Sequence, residues 1–349
     1  MGLTVITPYG PVGASSRVRI YDWMRRLNRP HRLYNYIGAR NASPSTLVAQ
    51  LPAVIGAERA LRRLNVTADT LLLHRQASPL SSGSLESQLL TSANRSLYDF
   101  DDALQWDIRH GLRSAVSKPD KAERCVRAAD IVIAGSELLA DWASRSSKSV
   151  FLVPSCVEPD DYPTKSDYRL SGPPVLGWVG SPATERYLRG LTEPLLALHR
   201  STSARLVVVS AGDASLGPLD VMTDRVPWDS ATVGAVMTSF DFALAPLTVD
   251  LFARGKCAYK ILQYAAAGLP IVGAPVGANK QVLGRLGAFA ARSDSEWLQT
   301  LQDLIAASPS EREAIGQTSS ERVQQYYSFE AWEDVMIGLL APQPASNSR

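Results

Sequence analysis

Short apolar runs recur through this 349-residue chain: LTVIT (3–7), TLLLH (70–74), DIVIA (130–134) and SVFLVP (149–154), separated by amphipathic, helix-like stretches. A nearly continuous apolar run suits a parallel strand covered by helices on both faces, whereas a half-solvated antiparallel strand should alternate. After EPDDYPTKSDYRLSGPP (158–174), rich in proline and charge, the pattern restarts with VLGWVG (175–180), RLVVVSAG (205–212), FDFALAP (240–246) and LPIVGAP (269–275). The pattern predicts two successive α/β units with parallel sheets. The length agrees, because one core rarely serves much more than about 250 residues. The boundaries are set at 1–165 and 166–326, and residues 327–349 form a C-terminal segment. Helices are predicted over 293–307, opening on a Ser-x-x-Glu cap, over EREAIGQTSSERVQQYY and over 328–340, before a polar, mobile APQPASNSR end.

Charged residues make up 20% and apolar ones 45%, and the formal net charge is +2. That balance offers no field for a polyanion, so no nucleic-acid partner is expected. Cys125, Cys156 and Cys257 are too scattered for a disulfide framework or zinc knuckle, and His31, His74, His110 and His199 form no local ligand pattern. MGLTVITPYG reads as an immediate first strand rather than a signal peptide, and no window reaches 18 apolar residues. A cytoplasmic protein is the expectation. WMRRLNRPHRL (23–33) suggests peripheral membrane contact, although a solvated helix surface accounts for it better.

In parallel α/β units, ligands sit beyond the carboxyl ends of the strands. TPYGPVGASSRVRIYDWMRRL (7–27) places Gly10 and Gly13 after the first strand, then Ser15 or Ser16 to cap a helix carrying Arg17. Such a loop can approach a phosphate or sugar, or be a plain turn. Arg17 and Arg19 cannot both point from one buried face at a spacing of two. RSLYDFDDALQWD (95–107) ends a strand in Asp99, Asp101 and Asp102, which can cap a helix, contact an acceptor or act in catalysis. Asp99-Phe-Asp101 also has the metal-binding spacing of single-domain glycosyltransferases, a weaker reading. His74 can be a satisfied buried histidine or a base.

In the second half, LGWVGSPATERYLRGL (176–191) repeats the strand, glycine and helix arrangement, with Gly180 and Ser181 placed to donate to a phosphate and Arg186 on a solvated face. Lys256 and Lys260 are predicted one turn apart near the start of a helix closed by Gly268. Cations there oppose the helix dipole, so a partner is needed: Asp250, or a bound diphosphate. Gln263 can meet a ribose hydroxyl, and Gly277 with Asn279 opens another turn into a helix.

The stretch from 240 to 283, with YDFDDALQW, ADIVIAGSELLADWA, VPSCVEPDDY and LGWVGSPATERYL in the same order, resembles the retaining nucleotide-sugar glycosyltransferases with two facing Rossmann-like domains, the group 1 or family 4-like class. The likeness spans nearly the whole chain. It implies the GT-B architecture with an interdomain cleft, and sugar transfer from a nucleoside-diphosphate donor to a hydroxyl on a small molecule, glycan or lipid-linked acceptor. It implies retention of anomeric configuration and neither metal nor cofactor. The donor would be held by Gly13, Arg17, Gly180, Ser181, Lys256, Lys260, Gln263, Gly277 and Asn279, with the two lysines also stabilising the leaving diphosphate. Asp101 and Asp102 would orient the acceptor, and the segment from Phe329 to Leu340 would cross back to the first domain.

The chain departs from that pattern. The usual two glutamates separated by seven residues are replaced by Gly255 and Gln263, and the Arg and Lys usual just after the first strand of the second domain have no clear equivalents in SPATERYLRG. A nucleotide-sugar 2-epimerase of related architecture and a noncatalytic sugar-nucleotide-binding partner protein are therefore the alternatives.

Overall fold

The computed structural model describes residues 2–39, 43–106 and 119–341. Asp107, His110 and the tail from 342 onward lie outside the described residues. The fold divides into two compact units: the described residues of Met1–Ser155, Arg254–Cys257 and Trp332–Arg349 form one, and Cys156–Ala253 with Ala258–Ala331 form the other.

The first unit is built on β1 (Leu3–Thr7), β2 (Arg32–Asn35), β3 (Thr70–His74), β4 (Arg95–Phe100), β5 (Ile131–Ala134) and β6 (Val150–Leu152). Its sheet runs in the order β2-β1-β3-β4-β5-β6, and every neighbouring pair is parallel. The second unit has β7 (Val175–Val179), β8 (Arg205–Ser210), β9 (Thr223–Pro227), β10 (Phe242–Ala245), β11 (Ile271–Gly273) and β12 (Phe289–Ala290). These order as β12-β11-β10-β7-β8-β9, again all parallel. Both orders are doubly wound. The order reverses between β1 and β3 in the first unit and between β7 and β10 in the second, and ligands of such sheets gather at those points.

The continuous apolar runs have the cause inferred from them. In β7, Leu176 and Trp178 pack into one buried cluster with Leu206, Val208 and Phe242, while Val179 belongs to a second cluster with Val209, Phe240 and Tyr264. Both faces of the sheet are buried, so neither position in the alternation is polar. Gly177 lies beneath the Phe240 ring, where a Cβ would fall 1.9 Å from Cδ2. Gly177→Ala is therefore expected to destabilise the protein by about 1–3 kcal/mol, seen as a lower denaturation midpoint in urea.

The segment after the first unit is not a free tether. Within the second unit, Tyr168 is buried and its hydroxyl donates to Gly268 O at 2.7 Å, Lys165 N donates to Ala267 O at 3.0 Å, and Arg312 Nε donates to Tyr168 O at 2.9 Å. Ser293 caps Asp294–Ala306 by accepting from Glu296 N at 3.2 Å, as its Ser-x-x-Glu pattern foretold. The helices Pro309–Tyr327 and Phe329–Leu340 follow.

Residues 23–33 do not form the apolar and basic surface they suggested. Trp23 and Met24 are buried, Arg26 Nε lies 2.9 Å from Glu333 Oε2, and Arg29 donates to Leu340 O at 2.8 Å. Among the described residues, no helix is long and apolar enough to cross a membrane.

Candidate functional site

The reversal between β1 and β3 gathers a polar cluster. After β1 the chain turns through Gly10, where a Cβ would fall 2.3 Å from Gly38 O, and enters helical structure at residue 14. The expected cap by Ser15 or Ser16 does not form. Gly13 is the N-cap, its carbonyl accepts from Arg17 N at 2.9 Å, and both serines lie inside the first turn. Their hydroxyls are thereby free to face the strands. Ser16 accepts from Thr7 Oγ1 at 2.5 Å, and Ser15 donates to the two carboxylate oxygens of Asp101 at 2.9 and 3.0 Å. Ser15 Oγ is also 2.7 Å from His74 Nε2, and His74 Nδ1 is 2.7 Å from Asp99 Oδ2. His74 thus bridges Ser15 and Asp99 from a fully buried position.

Two arginines hold the aspartates. Arg19, not the half-buried Arg17, is the one carried inward. It pairs with both oxygens of Asp99 and donates to Val153 O and Pro154 O at 2.8 and 2.9 Å. Arg75 follows His74 in a left-handed conformation (φ 57°), which costs a non-glycine residue free energy. From there it donates to Asp101 Oδ1 at 2.7 Å and pairs with Asp102, whose other oxygen lies 3.7 Å from Lys256 Nζ. Cys257 Sγ donates to Asp101 O at 3.0 Å.

Burial alone would raise the Asp99 carboxyl, but the Arg19 charge and the His74 hydrogen bond outweigh it and hold Asp99 below its ordinary range. At Asp101, burial is likewise outweighed, first by Arg75 and then by His74 and Arg19. Carboxylates held low are poor proton acceptors but good hydrogen-bond acceptors, which suits orientation better than deprotonation. Burial and the Asp101 charge push the Cys257 thiol well up, so it is no nucleophile near neutrality. Asp99 and Asp101 are engaged with arginines, and among the described residues no group of three or more His, Cys, Asp or Glu could hold a metal ion.

Sequence reasoning allowed one of Arg17 and Arg19 to point inward and assigned Arg17 the site role, and it missed Arg75 altogether. Each carried a signal: Arg19 stands between the apolar Val18 and Ile20, and Arg75 directly follows a fully buried strand.

The reversal between β7 and β10 gathers a second cluster. Gly180 continues β7, its N–H donating to Val209 O at 3.0 Å, and exposed Ser181 opens a tight turn to Thr184. Helix Tyr259–Ala266 is pinned to the end of β7 because Val179 N donates to Tyr264 Oη at 2.8 Å. One turn earlier on that helix, Lys260 Nζ stands 3.9 Å above the Trp178 ring centroid and donates to Thr184 Oγ1 at 3.2 Å. A cation over an indole face is electrostatically favoured, which offsets the unfavourable helix-dipole position. Gly180 makes the room: a Cβ there would lie 2.3 Å from Lys260 Nζ and 2.4 Å from the indole.

The two lysines do not share a helix face. Lys256 precedes the helix, and Ala258, left-handed at φ 57°, redirects the chain between them. Lys256 has Asp102 as an ion-pair partner, while Asp250 accepts from Ala253 N at 2.8 Å and Thr248 Oγ1 at 2.5 Å, capping Leu251–Arg254. Gln263 is buried and donates to Tyr162 Oη at 2.9 Å. Asn279, also buried, donates to Ala274 O at 3.2 Å and braces the turn in which Gly277 takes φ 55°. Arg186 is exposed. Gly255 stands where the first glutamate of the resemblance would be, and a Cβ there would fall 2.3 Å from Ala103 Cβ and 2.9 Å from Ala103 N. No side chain fits that position without backbone movement.

No family model matches the sequence, and no curated protein matches it. Solved structures do. Anabaena Alr3699/HepE, solved in complex with UDP and glucose, is 12% identical at a TM-score of 0.68, covering 98% of this chain and 100% of that one. An alpha,alpha-trehalose-phosphate synthase (UDP-forming) from Burkholderia vietnamiensis is 12% identical at a TM-score of 0.63, covering 99% and 98%. WaaG, a glycosyltransferase involved in lipopolysaccharide biosynthesis, is 12% identical at a TM-score of 0.64, covering 98% and 100%. The chain shares with these proteins a fold of two Rossmann-like domains, each a parallel sheet flanked by helices, of the GT-B kind.

Proposed function

We propose that this protein is a glycosyltransferase that moves a sugar from a nucleoside-diphosphate donor to an acceptor hydroxyl with retention of configuration, without a metal ion. The observation that carries the reading is Lys260, held over Trp178 beside Gly180 at the β7/β10 reversal. A cation past the carboxyl end of a parallel sheet suits a diphosphate leaving group, and it does so without the Gly180 N–H, which Val209 O already accepts. Lys260 takes the charge-neutralising part that a metal plays elsewhere. The fold's likeness to a protein solved with UDP and glucose makes UDP the first nucleotide to test.

In this mechanism the bond between the anomeric carbon and the diphosphate oxygen breaks as the acceptor oxygen approaches on the same face. The departing phosphate oxygen receives the acceptor proton. Asp101 and Asp102 orient acceptor hydroxyls from positions fixed by their ion pairs with Arg75. Ser15, His74 and Asp99 fix Asp101 in place. Gly13, Ser181, Gly277 and Asn279 shape the surrounding turns, Arg17 contributes from the helical segment after Gly13, and Gln263 can offer its amide oxygen to a ribose hydroxyl while its Nε2 donates to Tyr162.

Gly255 favours a second reading, a noncatalytic sugar-nucleotide-binding protein, because its site excludes the acidic residue. Nucleotide release from UDP-, GDP-, dTDP- and ADP-sugars, with and without sugar and lipid-linked acceptors, separates the readings. Acceptor-dependent release with a retained anomeric centre is expected. Acceptor-independent release with the sugar inverted at C2 would instead identify an epimerase, and saturable donor binding without turnover a noncatalytic protein.

A further inference from the structure

Two consecutive helices of the first unit, Pro44–Ala49 and Leu51–Arg63, bury only Leu47, Val54 and Leu61. Away from those contacts, Val48 is 76% exposed, Leu51 54% and Ile55 42%. On the second helix, Leu51, Ile55, Arg59 and Arg62 recur at i, i+4, i+8 and i+11, which places them along one edge, apolar at its start and basic at its end. Arg63 is exposed beside them. Over residues 43–66 three arginines stand against a single acidic residue, Glu58. That carboxylate is half-buried and turned toward the protein, accepting from Tyr36 Oη at 2.8 Å and from Ser78, with exposed Arg62 at 3.4 Å. The outward charge of the face is therefore positive.

We propose that this helical pair docks on an anionic lipid bilayer, with Val48, Leu51 and Ile55 entering the headgroup boundary and Arg59, Arg62 and Arg63 engaging lipid phosphates. The combination of an apolar stripe and long basic side chains is what an interfacial helix requires, because guanidinium groups stay at headgroup level while their stems lie along apolar surface. A second copy of this chain would bring the same arginines and no complementary charge. The inference is independent of the reaction proposed above, since docking is read without any substrate.

The test is cosedimentation of the full chain with vesicles of phosphatidylcholine alone or mixed with phosphatidylglycerol. Binding to the mixed vesicles is expected. Replacing Arg59, Arg62 and Arg63 together by Gln should weaken it by about fivefold for each charge, roughly a hundredfold in all. Replacing Val48, Leu51 and Ile55 together by Ser should weaken it by roughly tenfold or more. All six side chains are exposed, so unchanged circular dichroism and melting are expected of both variants. Absence of wild-type binding to the mixed vesicles, or equal binding by the arginine variant, would overturn the proposal. So would a wild-type dimer that the serine variant dissociates while lipid binding persists.

Discussion

Lys260→Met is expected to weaken UDP binding by roughly 10- to 100-fold, the worth of one charge-assisted hydrogen bond to a phosphate. Methionine keeps an unbranched stem over Trp178 and removes the charge and one hydrogen bond, to the part-exposed Thr184 hydroxyl, so the unliganded protein should melt within a few degrees of wild type. Gly180→Ala should reproduce the loss, because its Cβ would occupy the space of Lys260 Nζ. Lys256→Ala is expected to leave UDP affinity nearly unchanged, since Lys256 lies beside Asp102 in the first unit. Calorimetry with UDP, GDP, dTDP and ADP, with and without magnesium, reads all of these. Wild-type affinity in Lys260→Met, or an equal loss in Lys256→Ala, would remove the assignment of the diphosphate to Lys260.

The same pair of lysines shows what the sequence could and could not convey. Spacing alone put both on one helix face. Ala258 breaks that inference with a left-handed conformation that alanine rarely adopts and that no residue pattern announces. Central strands were legible because burial on both faces makes them continuously apolar, and the edge strand β6 because Val150–Leu152 is apolar throughout, whereas the other edge strands β2, β9 and β12 went unread. Their side chains are exposed or half-buried, so RLYN and TDRVP carry no apolar run. Asp99, Asp101 and Asp102 were visible as carboxylates at a strand end. Their partners were not, because Arg19 lies 80 residues from Asp99 and meets it only through the pairing of β1 with β3 and β3 with β4. Glycines were legible as turn formers, but Gly255 and Gly180 act through what their missing Cβ admits, and only coordinates reveal that.

Arg19→Met is expected to destabilise the protein by about 3–5 kcal/mol, the cost of leaving a buried charge without its partner. Arg19 and Asp99 are 1% and 2% exposed, and the change also orphans the carbonyls of Val153 and Pro154. Against a total of about 5–15 kcal/mol this is a large fraction. The double variant Arg19→Met, Asp99→Leu should recover part of the loss, because no uncompensated charge is then buried. The pH dependence supplies an independent sign. The folded state holds Asp99 below its ordinary range, so it binds fewer protons than the unfolded chain, and stability rises with pH through the carboxylate region. The increment is full above an unfolded value of about 4 and is lost as pH falls toward the folded one. Arg19→Met removes the largest cause of that lowering, so its stability should fall less steeply between neutral pH and acid than that of wild type. Urea denaturation at a series of pH values measures both effects. Parallel acid limbs would mean that the pair does not govern Asp99, and the polar cluster at the β1/β3 reversal would then owe its order to Arg75 and His74 instead.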